Sequence, residues 1–295
     1  MTDPLAAFVE RSLQRPVPDF ARAVADELAG EGVRAVLFYG SNLRTGWADG
    51  VLDFYVLTDG PPERGLWPRV GYREFAGVGT TLRAKIATMN LATFARAAAG
   101  RSHDTTIWAR FVQPAALLWS ADAEAAREAS KAMAAAAVTA ARFAAALGPE
   151  RGRAEEYWRA LFRATYAAEF RVEKQGRGDE IVAHNLDRYA ELLPLAWEAA
   201  GIAFGSDEGV LTPRLSISER VRIRSKWSRC RLAGKPLNLV RLVRAASTFE
   251  GAARYGAWKI ERHTGVAVPL TRWQERHPVL AAPGVLWRVW RRTRA

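Results

Sequence analysis

The chain has 295 residues, 49% of them hydrophobic, with a formal net charge of +12 and a single cysteine. That composition supports a sizeable core and argues against disorder, while Cys230 alone excludes an internal disulfide framework and a cysteine-only metal cluster. The charge is unevenly placed: from Arg214 onward there are 19 Lys and Arg against 4 Asp and Glu, a net +15, whereas the first 213 residues carry 24 against 27, a net −3.

Met1 to Arg11 shows no basic region followed by an apolar run, so no secretory leader is expected. No stretch reaches the roughly 18 apolar residues that span a bilayer. The best candidate, residues 132–141, is short, alanine-rich and flanked by Lys131 and Arg142, which reads as a buried helix.

Residues 19–30 space Phe20, Val24, Ala25 and Leu28 as an amphipathic helix, with Asp19 as cap and Gly30 and Gly32 as stops. Residues 33–39 read as a buried strand ended by Gly40-Ser41. A polar loop, 42–50, leads to a second strand, 51–57, which stops at Thr58-Asp59-Gly60-Pro61-Pro62. A third strand is expected at 81–89 and a helix at 91–99; residues 106–112 and 116–119 read as short strands or a strand and turn. From about residue 121 the pattern changes to long helices at 123–147, 154–173 and 181–200, then a helical stretch at 237–260 and a terminal segment at 285–294. The expected fold class is α/β: a nucleotidyltransferase-like mixed sheet with helices, followed by a mostly helical C-terminal domain. The expected division is 1–120 and 121–295, with no internal repeat.

The most informative stretch is Leu37-Phe38-Tyr39-Gly40-Ser41, followed by Asp53 within Leu52-Asp53-Phe54-Tyr55-Val56-Leu57. A strand ending in Gly-Ser lets backbone amides and a hydroxyl approach a triphosphate, because glycine adds no Cβ. An aspartate on the neighbouring strand can hold Mg²⁺ against the same phosphates. This order of elements resembles the polymerase-β-like nucleotidyltransferases. Their second acidic residue, two positions on, is Tyr55 here.

A narrower resemblance follows from that departure. Tyr39-Gly40-Ser41 with Leu52-Asp53-Phe54 is similar to the mitochondrial-type phosphatidate cytidylyltransferases, the translocator assembly and maintenance family, whose motif has one acidic residue between hydrophobic ones. Leu82-Arg83-Ala84-Lys85-Ile86-Ala87 resembles that family's Arg-Leu-x-Lys-Tyr strand. Ile107 to Pro114 resembles its Tyr-x-Ala-Gly-Arg-x-x-Lys-Pro segment, and Thr165 to Arg171 its Ser-Tyr-x-Gly-Asp-x-Arg helix. Gln113 stands for the family's lysine, and Ala168-Glu169 for its Gly-Asp.

The resemblance implies transfer of CMP from CTP to a lipid phosphate (phosphatidate, or a relative such as ceramide phosphate), giving CDP-lipid and pyrophosphate with Mg²⁺. It implies catalytic roles for Asp53 and Lys85 and nucleotide contacts from Gly40, Ser41, Lys85 and Arg110. Asp53 would ligate the metal and Arg171 would hold the lipid phosphate. A nucleotidyltransferase acting on RNA or protein, or an inactive nucleotide-fold scaffold, are the alternatives.

His103, His184, His263 and His277 lack metal-type spacing, and Gly77-Val78-Gly79 lacks the Gly-Lys-Ser/Thr of a P-loop. Asp59 reads as a turn former, with a second metal-ligand role as the alternative. In residues 285–294, Val285, Leu286, Trp287, Val289 and Trp290 fill one helical arc and Arg288, Arg291, Arg292 and Arg294 the other, the composition of an interfacial membrane helix. Arg220, Arg222, Arg224 and Lys226 alternate with Val221 and Ile223, which reads as a cationic strand face. The expected partners are CTP, an anionic lipid phosphate and a membrane surface, with no nucleic acid. The expected location is the cytoplasm, peripheral to the inner face of the cytoplasmic membrane.

Overall fold

A computed structural model describes residues 3–63, 65–77, 79–168, 177–248, 251–264, 267–277, 280–281, 283–285 and 287. The chain opens with two helices, α1 (Pro4–Leu13) and α2 (Asp19–Leu28). Helix α1 was not anticipated. Asp3 caps it by accepting from the Leu5 amide at 3.0 Å, and Pro4 sits in the first turn, where no amide donor is needed.

Strand β1 (Val33–Tyr39) is followed by the short helix α3 (Ser41–Thr45), then β2 (Leu52–Thr58), β3 (Arg69–Gly77) and β4 (Thr80–Asn90). Helices α4 (Leu91–Ala98) and α5 (Thr106–Phe111) precede the last strand of the sheet, β5 (Ala115–Ser120). The five-stranded sheet is mixed, in the order β3-β4-β2-β1-β5, with β2 and β4 parallel and the other neighbours antiparallel. Side chains alternate between its faces. Ala35, Leu37, Tyr39, Tyr55, Leu57, Ala87 and Met89 face the larger core, while Val36, Phe38, Leu52, Phe54, Val56 and Ile86 face α2. Burial on both faces explains why β1 reads as a continuous apolar run.

The helical part begins with α6 (Ala123–Leu147), capped by Asp122, whose carboxylate accepts from the Ala125 amide at 2.7 Å. It continues through the two-residue β6 (Gly152–Arg153), α7 (Ala154–Ala168), α8 (Arg177–Ala183) and α9 (Leu186–Ala199). The hairpin β7 (Phe204–Asp207) and β8 (Val210–Pro213) pairs with β6. Helices α10 (Ile217–Thr248), α11 (Ala252–Thr264) and α12 (Arg272–Arg276) close the chain. The expected α/β sheet followed by helices is what the structure shows. One contiguous core nevertheless joins the sheet to the helices, from Leu5 and Leu37 to Trp158, Trp197 and Trp227. Ten alanines of α6 are buried, eight of them in this core, and their small side chains let α1, α4, α5, α7, α9 and α10 all approach it.

Several expectations are corrected. Residues 106–111 are the helix α5, and just ahead of it the Asp104 carboxylate accepts from the Thr106 amide at 2.9 Å and hydroxyl at 2.7 Å. Edge strand β3 was missed, since Arg69, Arg73 and Glu74 break its apolar pattern. The expected helix 181–200 is interrupted at His184-Asn185, where the Asn185 side-chain amide donates to the Ile181 carbonyl at 3.0 Å. The stretch at Arg220–Trp227 is not a strand. It lies within α10, where Ile223, Trp227, Cys230 and Gly234 recur at helical spacing on the inward face. No helix among the described residues is long and apolar enough to cross a membrane.

Candidate functional site

The strand register assembles the site. Tyr72, Lys85, Asp53, Tyr39 and Ala115 are successive partners and form one row across all five strands. Partners in register point to the same face, so the side chains of Asp53 and Lys85 are neighbours on it. The next row, Ala87, Tyr55 and Leu37, already belongs to the apolar core. Asp53 and Lys85, both half-buried, therefore mark where that face turns from core to solvent. Beyond them only β3 and β4 continue, and Glu74 and Arg83 pair on that overhang.

Gly40 closes the row at the end of β1. Its φ is +91°, and a Cβ there would stand 2.7 Å from Asp53 Oδ2. Any other residue would both strain the backbone and push the carboxylate aside. Ser41 follows, exposed, its hydroxyl 3.3 Å from Asn42 Oδ1. Asn42 went unremarked in the sequence. Buried, it donates from Nδ2 to the carbonyls of Trp47 at 2.9 Å and Asp49 at 2.7 Å, which folds the 42–50 loop against the strand end. An asparagine directly after Gly-Ser in a polar loop was the available signal.

Arg110 reaches the same face from α5. It donates from Nη1 to the Tyr39 hydroxyl at 3.2 Å, lies 5.3 Å from the centre of that ring, and is hydrogen-bonded to the Tyr55 hydroxyl as well. Tyr55, two residues after Asp53, packs edge-on against Phe111 with ring centres 5.0 Å apart. Burial pushes its hydroxyl up to about 12 against the pull of Arg110, and raises that of Tyr39 further. Both phenols stay neutral at physiological pH. The position can therefore offer no anionic ligand, and it fixes a cation instead.

Helices α10 and α11 pack on β3 at the edge of the sheet. Arg241 of α10 donates to the Trp67 carbonyl at 3.1 Å, stacks over that indole at 5.3 Å, and forms an ion pair with Asp104 ahead of α5. Arg83 lies under the Trp258 ring of α11 at 5.6 Å and within 3.8 Å of Glu74. Gly251, between the two helices, passes so close to β3 that a Cβ would meet the Tyr72 carbonyl at 2.6 Å.

Gly40, Ser41, Asp53, Lys85 and Arg110 are thus brought to one end of the sheet. Arg171 lies outside the described residues, as does most of 285–294. Asp59 is at the far end of β2, six residues and about 20 Å from Asp53. It lines a separate groove of about 460 Å³ with Arg34, Asn90 and Lys131. Gln113 turns inward to donate to the Ala109 carbonyl at 3.0 Å. Among the described residues no group of three His, Cys, Asp or Glu could enclose a metal. Magnesium does not need one: a single carboxylate with substrate phosphates and water completes its shell, and Asp53 beside a turn bare of side chain fits that use.

Comparison with known protein families and with curated proteins finds no match for this chain.

Proposed function

We propose that the protein is a Mg²⁺-dependent cytidylyltransferase that transfers CMP from CTP to a lipid phosphate, phosphatidate or a relative such as ceramide phosphate. The observation that carries this reading is the row Lys85-Asp53-Tyr39 ending at Gly40, with Arg110 above it. It gathers a carboxylate, two cations and a backbone turn without side chain at one end of the sheet. CTP and the lipid acceptor enter from the family resemblance of the motifs.

In the proposed reaction an oxygen of the acceptor phosphate attacks the α-phosphorus of the nucleotide. A new P–O–P linkage forms, the bond between the α- and β-phosphates breaks, and pyrophosphate leaves with the electron pair. The attacking group is already an anion, so no residue must remove a proton from it. The task is to hold two anions together. The Gly40-Ser41 turn cradles the triphosphate, Lys85 and Arg110 neutralise its oxygens, and Tyr39 and Tyr55 keep Arg110 in place. Asp53 would hold Mg²⁺, which supplies charge neutralisation and in-line alignment when bound. Arg171 is assigned to the acceptor phosphate, and the cytoplasmic face of a membrane is the proposed place of work.

Incubating the protein with each labelled NTP, Mg²⁺ and vesicles containing phosphatidate or ceramide phosphate tests the proposal. Lipid-dependent pyrophosphate release with CTP is expected; release with no nucleotide–lipid pair would sink it. Tyr55, in place of a carboxylate, favours a second reading as an inactive nucleotide-binding scaffold. That reading requires CTP to bind without turnover, and equally well to Asp53→Ala.

A further inference from the structure

Helix α10 has two contrasting faces. Inward it buries Trp227, Cys230 and Gly234, and it is pinned at both ends by arginines: Arg224 donates to the Ala146 carbonyl at 3.0 Å and Arg241 pairs with Asp104. Outward it carries Ile217, Val221, Leu232 and Leu239, exposed by 85%, 62%, 72% and 60%. At 100° per residue these four fall within about 60° of one another, with Ser225, Ser228 and Lys235 between them. They form a ridge about 33 Å long at 1.5 Å per residue. Arg222 and Arg229 line one flank and Arg231 the other, all exposed. From Ile217 to Arg241 the helix holds eight Lys and Arg against one acidic residue, Glu219.

We infer that this outer face of α10 is a docking surface for an anionic lipid bilayer. The combination selects the partner. Arginines alone would suit any polyanion, but a nucleic-acid backbone has no use for four exposed aliphatic side chains in line. An apolar ridge between cationic flanks matches acyl chains beneath negative headgroups. The ridge differs from the 285–294 segment and is continuous with the fold, since α10 packs on α6, α7 and β3. As to why a membrane is present, the inference rests on the proposed lipid acceptor; the surface itself is argued from α10 alone. Further along the same helix Arg241 holds Asp104 beside the helix that carries Arg110. A bilayer on the ridge would therefore lie along an element tied to the neighbourhood of Arg110.

Co-sedimentation of the full chain with phosphatidylcholine vesicles, with and without phosphatidylglycerol, tests this. Binding is expected only with the anionic lipid and should weaken as salt is raised. The variant Val221→Asp/Leu232→Asp/Leu239→Asp should bind about tenfold more weakly or less, with an unchanged melting temperature because all three side chains are exposed. Arg222→Glu/Arg229→Glu should also lose binding. Wild-type protein that stays in the supernatant, or ridge variants that sediment like wild type, would overturn the inference. So would single-stranded RNA that displaces the vesicles and binds the ridge variant undiminished. Mg²⁺-dependent CTP binding, measured on the same proteins, separates the two proposals: its loss without loss of sedimentation counts against the nucleotide site only.

Discussion

Oδ2 of Asp53 lies 2.7 Å from the place where a β-carbon on residue 40 would stand. The glycine ending β1 and the carboxylate opening β2 are thus a matched pair, and neither can change without the other. Gly40→Ala should cost about 1–3 kcal/mol, because alanine is strained at φ +91° and displaces the carboxylate. Denaturant unfolding would show the loss, and activity should fall further than stability accounts for. A variant as stable and as active as wild type would contradict the pairing.

Asp53→Asn keeps the shape of the side chain and removes its charge. Lipid-dependent pyrophosphate release should drop about a hundredfold to a thousandfold, with the melting temperature held or raised. Addition of Mn²⁺ or excess Mg²⁺ should not restore it. Retention of half the activity would remove Asp53 from the chemistry.

Tyr55 links the site to alkaline pH. Its hydroxyl is raised from its ordinary value of 10.0 to about 12 in the folded protein, chiefly by burial. Between those values the unfolded chain loses a proton that the folded chain keeps, so stability is full below pH 10 and falls as pH rises. One such group contributes a slope of about 1.4 kcal/mol per pH unit. Unfolding measured from pH 9 to 12 should therefore be less steeply pH-dependent in Tyr55→Phe than in wild type (a range set by the two values above). Parallel curves would mean that Tyr55 is not protected in this way.

Asp104 and Arg241 tie α10 to the start of α5, with side chains only 6% and 19% exposed. Asp104→Ala removes the acceptor of the Thr106 amide and hydroxyl and leaves the guanidinium facing no carboxylate. It should destabilise by about 3 kcal/mol or more. The double variant Asp104→Ala/Arg241→Met should recover part of that loss. Equal stability of the single and double variants would show that the pair is not coupled.

The fold was most legible where periodicity and boundary signals agreed. Residues 123–147 begin after a capping Asp122 and end at Gly148, and they are helical over that whole span. Strand β1 and helix α4 were equally plain. Residues 106–112 misled because Ile107, Trp108 and Phe111 have strand-like composition, while the Asp104 carboxylate that receives the Thr106 amide and hydroxyl lies ahead of them. Arg220–Trp227 misled in the opposite way: charges alternated at period two while the buried residues kept helical spacing. Of the candidate site, Gly40, Ser41, Asp53 and Lys85 were readable because their motifs end or occupy strands. The contact between Tyr39 and Arg110 joins residues 71 apart and depends on how α5 lies across the sheet. Periodicity contains no such information.

The alanines of α6 look like the least informative stretch of the chain. Ten are buried, eight of them in the core where six other helices converge, so the interhelical spacing there is set by methyl groups. Enlarging one such side chain in a close-packed interior typically costs about 1–3 kcal/mol, and here the displaced neighbours would include α5, which carries Arg110, and α10. The monotony of the segment is a tolerance specification, as restrictive of what residue 136 or 140 can be as chemistry is of residue 53.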